Sequence, residues 1–248
     1  MDISNSKVLI VSDAHLTAVG DMTREHKWVD MLIKTSRNYD VVILNGDIFE
    51  TWKHGMFGWD KKSRGDKLDN ILDKLPKLKK FLLKPNVKLI IGNHDMALTL
   101  PRFEMYKPIK KLRLKIDDKT VHVEHGNNAD ANYSFATLEN KSFLTVAFDY
   151  FSDMLLTFLE NKGIIKDKVG LEYGLQNIAY AADLVPKSMF TDYADKLSVE
   201  YVVFGHTHTM RYATTDKCEY YNSGSQIFEF EGIAINKGEF KFIQKKYK

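Results

Sequence analysis

Polar residues that can bind metal ions follow five apolar segments of the chain. The first three segments end in the motifs DAH, NGD and GNHD, and two later segments end in HG and GHTH. Each motif alone is a weak signal, because Gly, Asn and Asp are also common turn residues. The two histidines of GHTH are more specific, since alternation in an extended chain places both rings on one face. Together the motifs supply seven candidate ligands: Asp13, His15, Asp47, Asn93, His125, His206 and His208.

The types of these side chains indicate a catalytic metal centre. Burying so many polar groups without partners would cost about 2–7 kcal/mol for each group, whereas a shared metal site would satisfy them. Carboxylate, amide and imidazole ligands without thiolate suit Mn²⁺, Zn²⁺ or Fe better than a structural zinc site. One ion with an open position cannot use all these donors, so we predict two divalent ions about 3.5–4 Å apart, bridged by a carboxylate. Mn²⁺ is the metal we expect, with Zn²⁺ or Fe as alternatives, and such a pair suits phosphate-ester hydrolysis.

Strands and helices alternate in the first half of the chain, and this order would position the ligands. Apolar segments at Lys7–Val11, Val41–Leu44 and Val87–Ile91 indicate buried strands, and residues at helical spacing separate them. A Lys-rich helical region over roughly Lys67–Leu83 is expected to be interrupted, or to start a new helix, at Pro76. This alternation predicts a mostly parallel sheet between layers of helices. Ligands of such sheets gather at the carboxyl ends of the strands, where these motifs lie.

The second half of the chain predicts a second sheet. Leu112–Ile116 and Thr120–Glu124 indicate a hairpin, and short apolar segments after residue 200 indicate further strands. Between them, residues 133–197 have a helical pattern, and we expect a helical cap inserted in the domain. The apolar stretch Phe143–Leu159 predicts a cap helix packed on the core, or an apolar wall beside the metals that receives an acyl chain or an aromatic ring. The predicted fold class is α/β, a two-sheet αββα sandwich forming one domain over residues 1–248.

Length and composition limit the class of protein. The chain has 248 residues, 44% of them hydrophobic, which suits one substantial core. A net charge of +3 is too small to indicate nucleic-acid or membrane binding by itself. The single cysteine, Cys218, cannot form an intrachain disulfide, and no apolar run reaches the roughly 18 residues of a membrane span. Because the amino terminus also lacks a signal-peptide pattern, we expect a soluble, cytoplasmic protein.

The ordered motifs DAH, GD, GNHD, HG and GHTH resemble those of the calcineurin-like metallophosphoesterases. The resemblance extends from Asp13 to His208, and NSGS at Asn222–Ser225 is similar to a further element of that family. It implies hydrolysis of a phosphomonoester or phosphodiester by a metal-activated hydroxide, without a covalent phosphoenzyme. By the same resemblance, one ion would be held by Asp13, His15, Asp47 and His208, and the other by Asp47, Asn93, His125 and His206, with Asp47 bridging.

The resemblance also implies catalytic roles for His94 and Asp95, which follow Asn93 in the GNHD motif. In that family the histidine of this motif faces the substrate and stabilises or protonates the leaving-group oxygen, while the neighbouring aspartate orients the ring. Gly92 would let the backbone approach the metals closely. We therefore expect Asn93 to bind a metal while His94 acts on the ester.

Three other functions stay open. The layout and the stretch GDIFETW at Gly46–Trp52 also resemble the UDP-2,3-diacylglucosamine hydrolase branch, which acts on a lipid-linked nucleotide, although that branch carries Arg where this chain has His94. A nuclease would need a basic groove with stacking aromatics, and residues 52–64 supply a few of each. A non-catalytic scaffold is disfavoured because no ligand residue of the family is missing. The partner we expect is a phosphate-ester substrate, either a small molecule or a lipid-linked nucleotide, with nucleic acid not favoured.

Two further features lie outside these motifs. Residues Phe49–Asp66 combine glycines, aromatics and basic side chains, which indicates a surface loop or a mobile loop at the mouth of the site. In the second case, Lys53, His54 or Arg64 would contact phosphate. His122 alternates with two valines in its strand, and we predict a surface position for it.

Overall fold

The computed structural model describes residues 1–18, 20–51, 61–129 and 187–247. Within these ranges the chain forms two five-stranded β-sheets that pack face to face, with helices outside them. The helices are α1 (Thr23–Ser36), α2 (Lys61–Lys74), α3 (Pro76–Leu82) and α4 (Lys187–Lys196), and two short 3-10 helices cover Met96–Thr99 and Pro101–Tyr106. The strands are β1 (Lys7–Val11), β2 (Val41–Asn45), β3 (Val87–Ile90), β4 (Lys111–Ile116), β5 (Lys119–Glu124), β6 (Tyr201–Phe204), β7 (Arg211–Thr214), β8 (Glu219–Asn222), β9 (Glu229–Asn236) and β10 (Glu239–Lys246).

The first sheet has the strand order β10-β9-β1-β2-β3. Strands β1, β2 and β3 are parallel, which confirms the prediction from strand–helix alternation, and β9 pairs antiparallel with β1. Val11 lies opposite Leu44, and Leu44 lies opposite Leu89. The three parallel strands therefore end at one edge of the sheet, and the motifs that follow them begin side by side.

The second sheet has the order β4-β5-β6-β8-β7. Strands β4 and β5 form the predicted hairpin, while β5, β6 and β8 run parallel to one another. Val123 of β5 lies opposite Val203 of β6, so these two strands also end at a common edge. The HG and GHTH motifs follow directly from that edge.

The side chains of strand β1 pack into two buried clusters, one on each face of the first sheet. Ile10 belongs to the buried cluster between the sheets, together with Ile43 and Val203. Leu9 belongs to a second buried cluster, on the helix-covered side of the first sheet, together with Trp28 of α1. Burial on both faces explains why this segment is apolar without alternation. The structure thus has the predicted two-sheet α/β architecture.

The predicted boundary of α2 was wrong. This helix begins at Lys61, so residues 61–66 are helical and do not belong to a loop. In its first turns the Lys62 ammonium lies 3.0 Å from the Asp66 carboxylate, an i,i+4 pair that favours a helix. The glycines and aromatic residues nearby had indicated a loop instead. The predicted start of a new helix at Pro76 was right, because α3 begins at this residue.

The predicted surface position of His122 was also wrong, because the side chain is fully buried. Helix α4 covers the outer face of the second sheet, where Phe190 packs in one cluster with Val202 and Phe204. Under this cover, His122 Nε2 lies 3.4 Å from the carboxylate of Glu124. Alternation identified the face on which His122 lies, but not the helix that covers it.

Most of the predicted cap falls outside the described residues. Of residues 133–197, the structure describes 187–197, and α4 accounts for most of these. The apolar stretch Phe143–Leu159 and the loop residues Lys53 and His54 lie outside the described ranges, whereas Arg64 lies on α2. Among the helices of the described ranges, none is both long and apolar enough to cross a membrane.

Candidate metal centre

The motifs that follow five strands meet at one end of the two-sheet core. The first sheet supplies Asp13, His15, Asp47 and Asn93, and the second supplies His125, His206 and His208. All seven side chains are buried. Six of them form two groups whose ligand atoms lie within 4.8 Å of one another: Asp13 with His15 and His208, and Asp47 with His125 and His206.

Distances within the first group fit a divalent cation. Two atoms bound to one cation at about 2.0–2.2 Å are separated by about 2.8–3.6 Å when the angle between the bonds is between about 90° and 110°. His208 Nε2 lies 3.2 Å from His15 Nε2 and 3.2 Å from Asp13 Oδ1. The two imidazole nitrogens face each other at this distance, an arrangement that a cation between them would explain.

Similar spacings occur within the second group and between it and the neighbouring Asn93. His125 Nε2 lies 3.0 Å from Asp47 Oδ2, and His206 Nδ1 lies 3.1 Å from Asn93 Oδ1. The carbonyl oxygen of Asn45 accepts a hydrogen bond from His125 Nδ1 at 3.0 Å. Because a carbonyl only accepts, this bond places a ring hydrogen on Nδ1 and directs Nε2 of His125 towards Asp47.

The backbone turns sharply at most of these positions. Five of the seven candidate ligands have left-handed φ angles, with Asp13 at 55°, His15 at 44°, Asp47 at 51°, His206 at 68° and His208 at 56°. This conformation costs of order 1–3 kcal/mol for a residue other than glycine, and it concentrates at functional sites. Aspartate and histidine tolerate it better than most residues do. These turns follow strands β1, β2 and β6, and they occur at residues whose side chains lie in the buried centre.

The NSGS segment supports the first group from behind. Ser12 Oγ donates to the carboxylate of Asp13, and the hydroxyls of Ser12 and Ser223 lie 2.6 Å apart. Asn222 Nδ2 donates to the carbonyl oxygen of Gly205, at the start of GHTH, at 2.5 Å. The segment therefore ties the β1 end to the β6 end, which gives its residues a supporting role beside the candidate ligands.

His15 of the first group and His125 of the second differ in pKa. Burial lowers the pKa of His15 to about 4, although its contact with Glu50 opposes the shift. Burial also acts to lower the pKa of His125, but the carboxylates of Asp47 and Asp13 outweigh it and raise the value to about 10. A cation binds the neutral ring, so His15 is ready for binding at neutral pH, whereas binding at His125 must release a proton.

A match to a protein-family model identifies the family of this chain. The model of the calcineurin-like phosphoesterase family matches residues 6–210 of this chain. The chain belongs to this family. The matched range contains all seven candidate ligands and both residues of the predicted catalytic pair, and it ends before NSGS. No curated protein matches this phosphoesterase chain at a significant level.

Several solved structures align with nearly the whole phosphoesterase chain. An archaeal phosphodiesterase is 16% identical, with a TM-score of 0.46 and coverage of 96% of this chain and 99% of its own. Yfce, a phosphoesterase from E. coli, is 12% identical, with a TM-score of 0.41 and coverage of 98% and 100%. Vps29 from Cryptosporidium parvum is 12% identical, with a TM-score of 0.47 and coverage of 97% of both chains. Similarity at this level carries no information on activity or substrate.

The structure corrects the expected contact between Asp95 and His94. The carboxylate of Asp95 accepts hydrogen bonds from the backbone N–H groups of Phe49 at 2.8 Å, Gly92 at 3.1 Å and Ile48 at 3.3 Å. Burial and the nearby Asp47 raise the pKa of Asp95 to about 7. The side chain thus supports the backbone of two segments and does not orient the imidazole.

Glu50 is the site residue that motif reasoning missed. Both of its carboxylate oxygens lie 2.9 Å from His94 Nδ1, and Oε2 lies 3.2 Å from His15 Nδ1. Burial acts to raise the pKa of Glu50, but His94 and His15 hold it well below its ordinary value. The stretch GDIFETW contains this glutamate three positions after Asp47. The sequence pattern does not identify His94 and His15 as the side chains that it contacts.

Gly92 is required by the close approach of β3 to Asp47. A Cβ atom at this position would lie 2.1 Å from Asp47 Oδ1 and 2.4 Å from the Asp47 backbone nitrogen. We expect Gly92→Ala to displace Asp47, to lower cation affinity, and to destabilise the fold by about 1–3 kcal/mol through overpacking. Cation titration and denaturant unfolding measure the two effects.

The matched control for this change is Gly65→Ala in α2. A Cβ there would meet the ends of flexible side chains, those of Arg102 and Leu100, which can move aside. Alanine also favours a helix over glycine by about 0.8–1 kcal/mol. Unchanged cation affinity in both variants would show that Gly92 does not hold Asp47 in place.

Proposed function

We propose that this chain hydrolyses a phosphomonoester or phosphodiester with two divalent cations, with Mn²⁺ as the expected metal. The position of Asp47 is the observation that supports this most directly. Its Oδ2 lies 3.0 Å from Nε2 of His125 and 3.9 Å from Nε2 of His15. One carboxylate therefore adjoins both groups of candidate ligands, as a carboxylate shared by two cations must.

The donor set fits two cations of this kind. One would be held by Asp13, His15, Asp47 and His208, and the other by Asp47, Asn93, His125 and His206. Each set contains donor pairs 3.0 to 3.2 Å apart, as atoms bound to one cation are, while His15 Nε2 lies 3.9 Å from both Asp13 Oδ1 and Asp47 Oδ2. When bound, such cations supply the Lewis acidity that activates a water molecule and offsets negative charge on phosphoryl oxygens.

The chain's own contribution to bond cleavage is assigned to His94. Its backbone N–H donates to Asp47 Oδ1 at 2.8 Å, which fixes the residue beside the shared carboxylate. Its ring lies with Nδ1 against Glu50 and Nε2 4.0 Å from Asp47 Oδ2, at the border of the candidate centre. From this position a proton on Nε2 would pass to the leaving-group oxygen as the ester bond breaks.

Hydrolysis by metal-stripped protein with Mn²⁺ restored tests the proposed function. We would compare p-nitrophenyl phosphate, bis(p-nitrophenyl) phosphate and a UDP-linked pyrophosphate in parallel. The expected result is turnover of the monoester or the diester that depends on Mn²⁺ and stops when a chelator is added. The control is the same protein with Mg²⁺ or Ca²⁺, which prefer oxygen ligands and suit these imidazoles poorly.

The same assay separates the other functions. Turnover of the pyrophosphate alone would assign the chain to the UDP-diacylglucosamine hydrolase type, to which GDIFETW is similar. Salt-sensitive binding and cleavage of DNA or RNA would support a nuclease. Two bound cations without turnover of any ester would contradict the proposal and leave a metal-binding scaffold.

A further inference from the structure

Asn45 is a polar residue in the apolar layer between the two sheets. It is the last residue of β2, and its side chain lies on the same face of the strand as Ile43, two residues earlier. Both Ile43 and Ile90, the residue opposite Asn45 on β3, belong to the buried cluster between the sheets. Asn45 is itself fully buried. An apolar side chain would suit this position better by burial alone, so the amide needs another explanation.

The amide of Asn45 joins the end of β2 to the end of β5 in the other sheet. Asn45 Nδ2 donates to the carbonyl oxygen of Glu124 at 2.9 Å. Since a carbonyl oxygen only accepts, the nitrogen of the amide is the atom that faces Glu124. The main-chain oxygen of Asn45 accepts the hydrogen bond from Nδ1 of His125 at 3.0 Å. Asn45 therefore binds two successive residues of the second sheet, one through its side chain and one through its backbone.

The next two residues of the NGD motif also contact the ring of His125. A Cβ atom at Gly46 would lie 2.5 Å from Cγ of His125, so the backbone passes directly against the ring. Asp47 Oδ2 lies 3.0 Å from Nε2 of the same ring. The separation of the ends of β2 and β5 therefore determines where His125 Nε2 lies relative to Asp47. The bond from Asn45 Nδ2 to Glu124 fixes this separation without involving the ring.

The other end of the Asn45 amide shows that the bond to Glu124 has an energetic cost. Asn45 Oδ1 is buried, and no residue of the described ranges donates a hydrogen bond to it. A buried acceptor without a donor is destabilising. A role in stability alone would therefore favour an apolar side chain at this position, whereas a role in spacing the two strands requires the donor at Nδ2.

We propose that Asn45 is a positioning residue whose side chain, by joining β2 to β5, sets the spacing between Asp47 and His125 at which both bind one cation. This inference rests on the proposed function, which assigns these two residues to the same cation. It concerns the second group of ligands, whereas the contact between Ser12 and Ser223 lies behind the first group. A residue that holds a metal ligand in place contributes about 10–100-fold to metal affinity or activity.

Asn45→Leu is the decisive variant because leucine has a similar size and no hydrogen-bonding group. A second substitution isolates each group of ligands, since His208→Ala leaves the second group complete and His206→Ala leaves the first. Calorimetric titration of the metal-stripped proteins with Mn²⁺ and with Zn²⁺ measures affinity. We expect Asn45→Leu to lower affinity about 10–100-fold in the His208→Ala background and to leave it within about twofold in the His206→Ala background. Unchanged affinity in the first background, or an equal loss in both, would overturn the proposal.

Hydrogen exchange at His125 gives a readout that is independent of cations and turnover. In the metal-stripped protein, with ¹⁵N-labelled histidine, we expect the Nδ1 hydrogen of His125 to exchange slowly enough to be observed, unlike the ring hydrogens of the exposed His26. Asn45→Leu should make this exchange at least about tenfold faster, and His125→Gln identifies the resonance. Rapid exchange in the wild-type protein, or an unchanged rate in the variant, would contradict the proposal. Asn45→Ser replaces Asn45→Leu if leucine prevents folding, because serine is too short to reach Glu124.

Two further comparisons separate positioning from fold stability and from the proposed function. The denaturation midpoint of the metal-stripped protein should change little in Asn45→Leu, because losing the bond to Glu124 is offset by removing the unpaired Oδ1. A lower midpoint with unchanged cation affinity would show a purely structural role. The matched control is Asn38→Leu at an exposed position, which should leave midpoint and affinity as in the wild type. If the wild type hydrolyses no ester, the proposed function fails, while cation affinity and hydrogen exchange still decide the role of Asn45.

Discussion

Replacing Asp47 with alanine is expected to abolish phosphate-ester hydrolysis and to weaken cation binding. Asp47 Oδ2 adjoins both groups of candidate ligands, and Oδ1 accepts the backbone N–H of His94 at 2.8 Å. The substitution also leaves the His125 ring without the carboxylate that most strongly raises its pKa. We expect turnover to fall by at least about 10³-fold, the upper end for loss of one electrostatic group. Steady-state assays and metal analysis of the dialysed protein measure the two effects.

Two control variants test whether the effect of Asp47→Ala comes from loss of the carboxylate charge at this position. Asp47→Asn keeps an oxygen that can accept the N–H of His94 but removes the charge, so it should preserve the fold while binding cations weakly. Asp118→Ala changes an exposed aspartate in the turn between β4 and β5 and should behave as wild type. Full turnover by Asp47→Ala would remove the basis for a shared carboxylate.

Replacing His94 with alanine is expected to lower kcat while leaving cation binding unchanged. His94 borders both groups, but its proposed task is to deliver a proton to the leaving oxygen, a contribution of about 10²–10⁴-fold. The variant should therefore retain both cations and lose most of kcat. The loss should be largest for alkyl phosphates, whose leaving oxygen needs a proton. It should be smallest for p-nitrophenyl phosphate, whose leaving oxygen is stable as an anion.

The control for His94 is His26→Ala, an exposed histidine of α1. It should leave kcat unchanged for every leaving group. Loss of a cation from His94→Ala, measured by metal analysis, would mean that His94 is a ligand and that its assignment is wrong. An equal loss of rate for all leaving groups would rule out proton delivery as its role.

The strands that carry the site could be predicted from the sequence because their signal is local. Segments such as Val8–Val11 are buried on both faces and are apolar without interruption, and each ends where a ligand motif begins. Parallel order followed from the helices between the strands. The proximity of Asp13 and Asp47 then required only that neighbouring parallel strands end together, whereas the approach of His125 also required the second sheet to pack against the first.

The features that could not be predicted depend on contacts between distant parts of the chain. His122 is buried because α4, more than sixty residues later, covers its face of the sheet. Glu50 reaches His94 and His15 because the backbone turns at Asp47, with φ at 51°, and returns between two other segments. The adjacent position of Asp95 favoured that residue instead, although its carboxylate is occupied by backbone N–H groups.

The division of the candidate ligands between two sheets has a consequence for biosynthesis. Asp13, Asp47 and Asn93 leave the ribosome with the first three parallel strands, whereas His206 and His208 follow β6, well over one hundred residues after β3. Translation proceeds at about 5–20 residues per second. For several seconds the nascent chain therefore presents an incomplete set of donors. Binding of cations by the complete proposed set of donors would therefore be a late event, possible only after β6 and the GHTH motif have been synthesised.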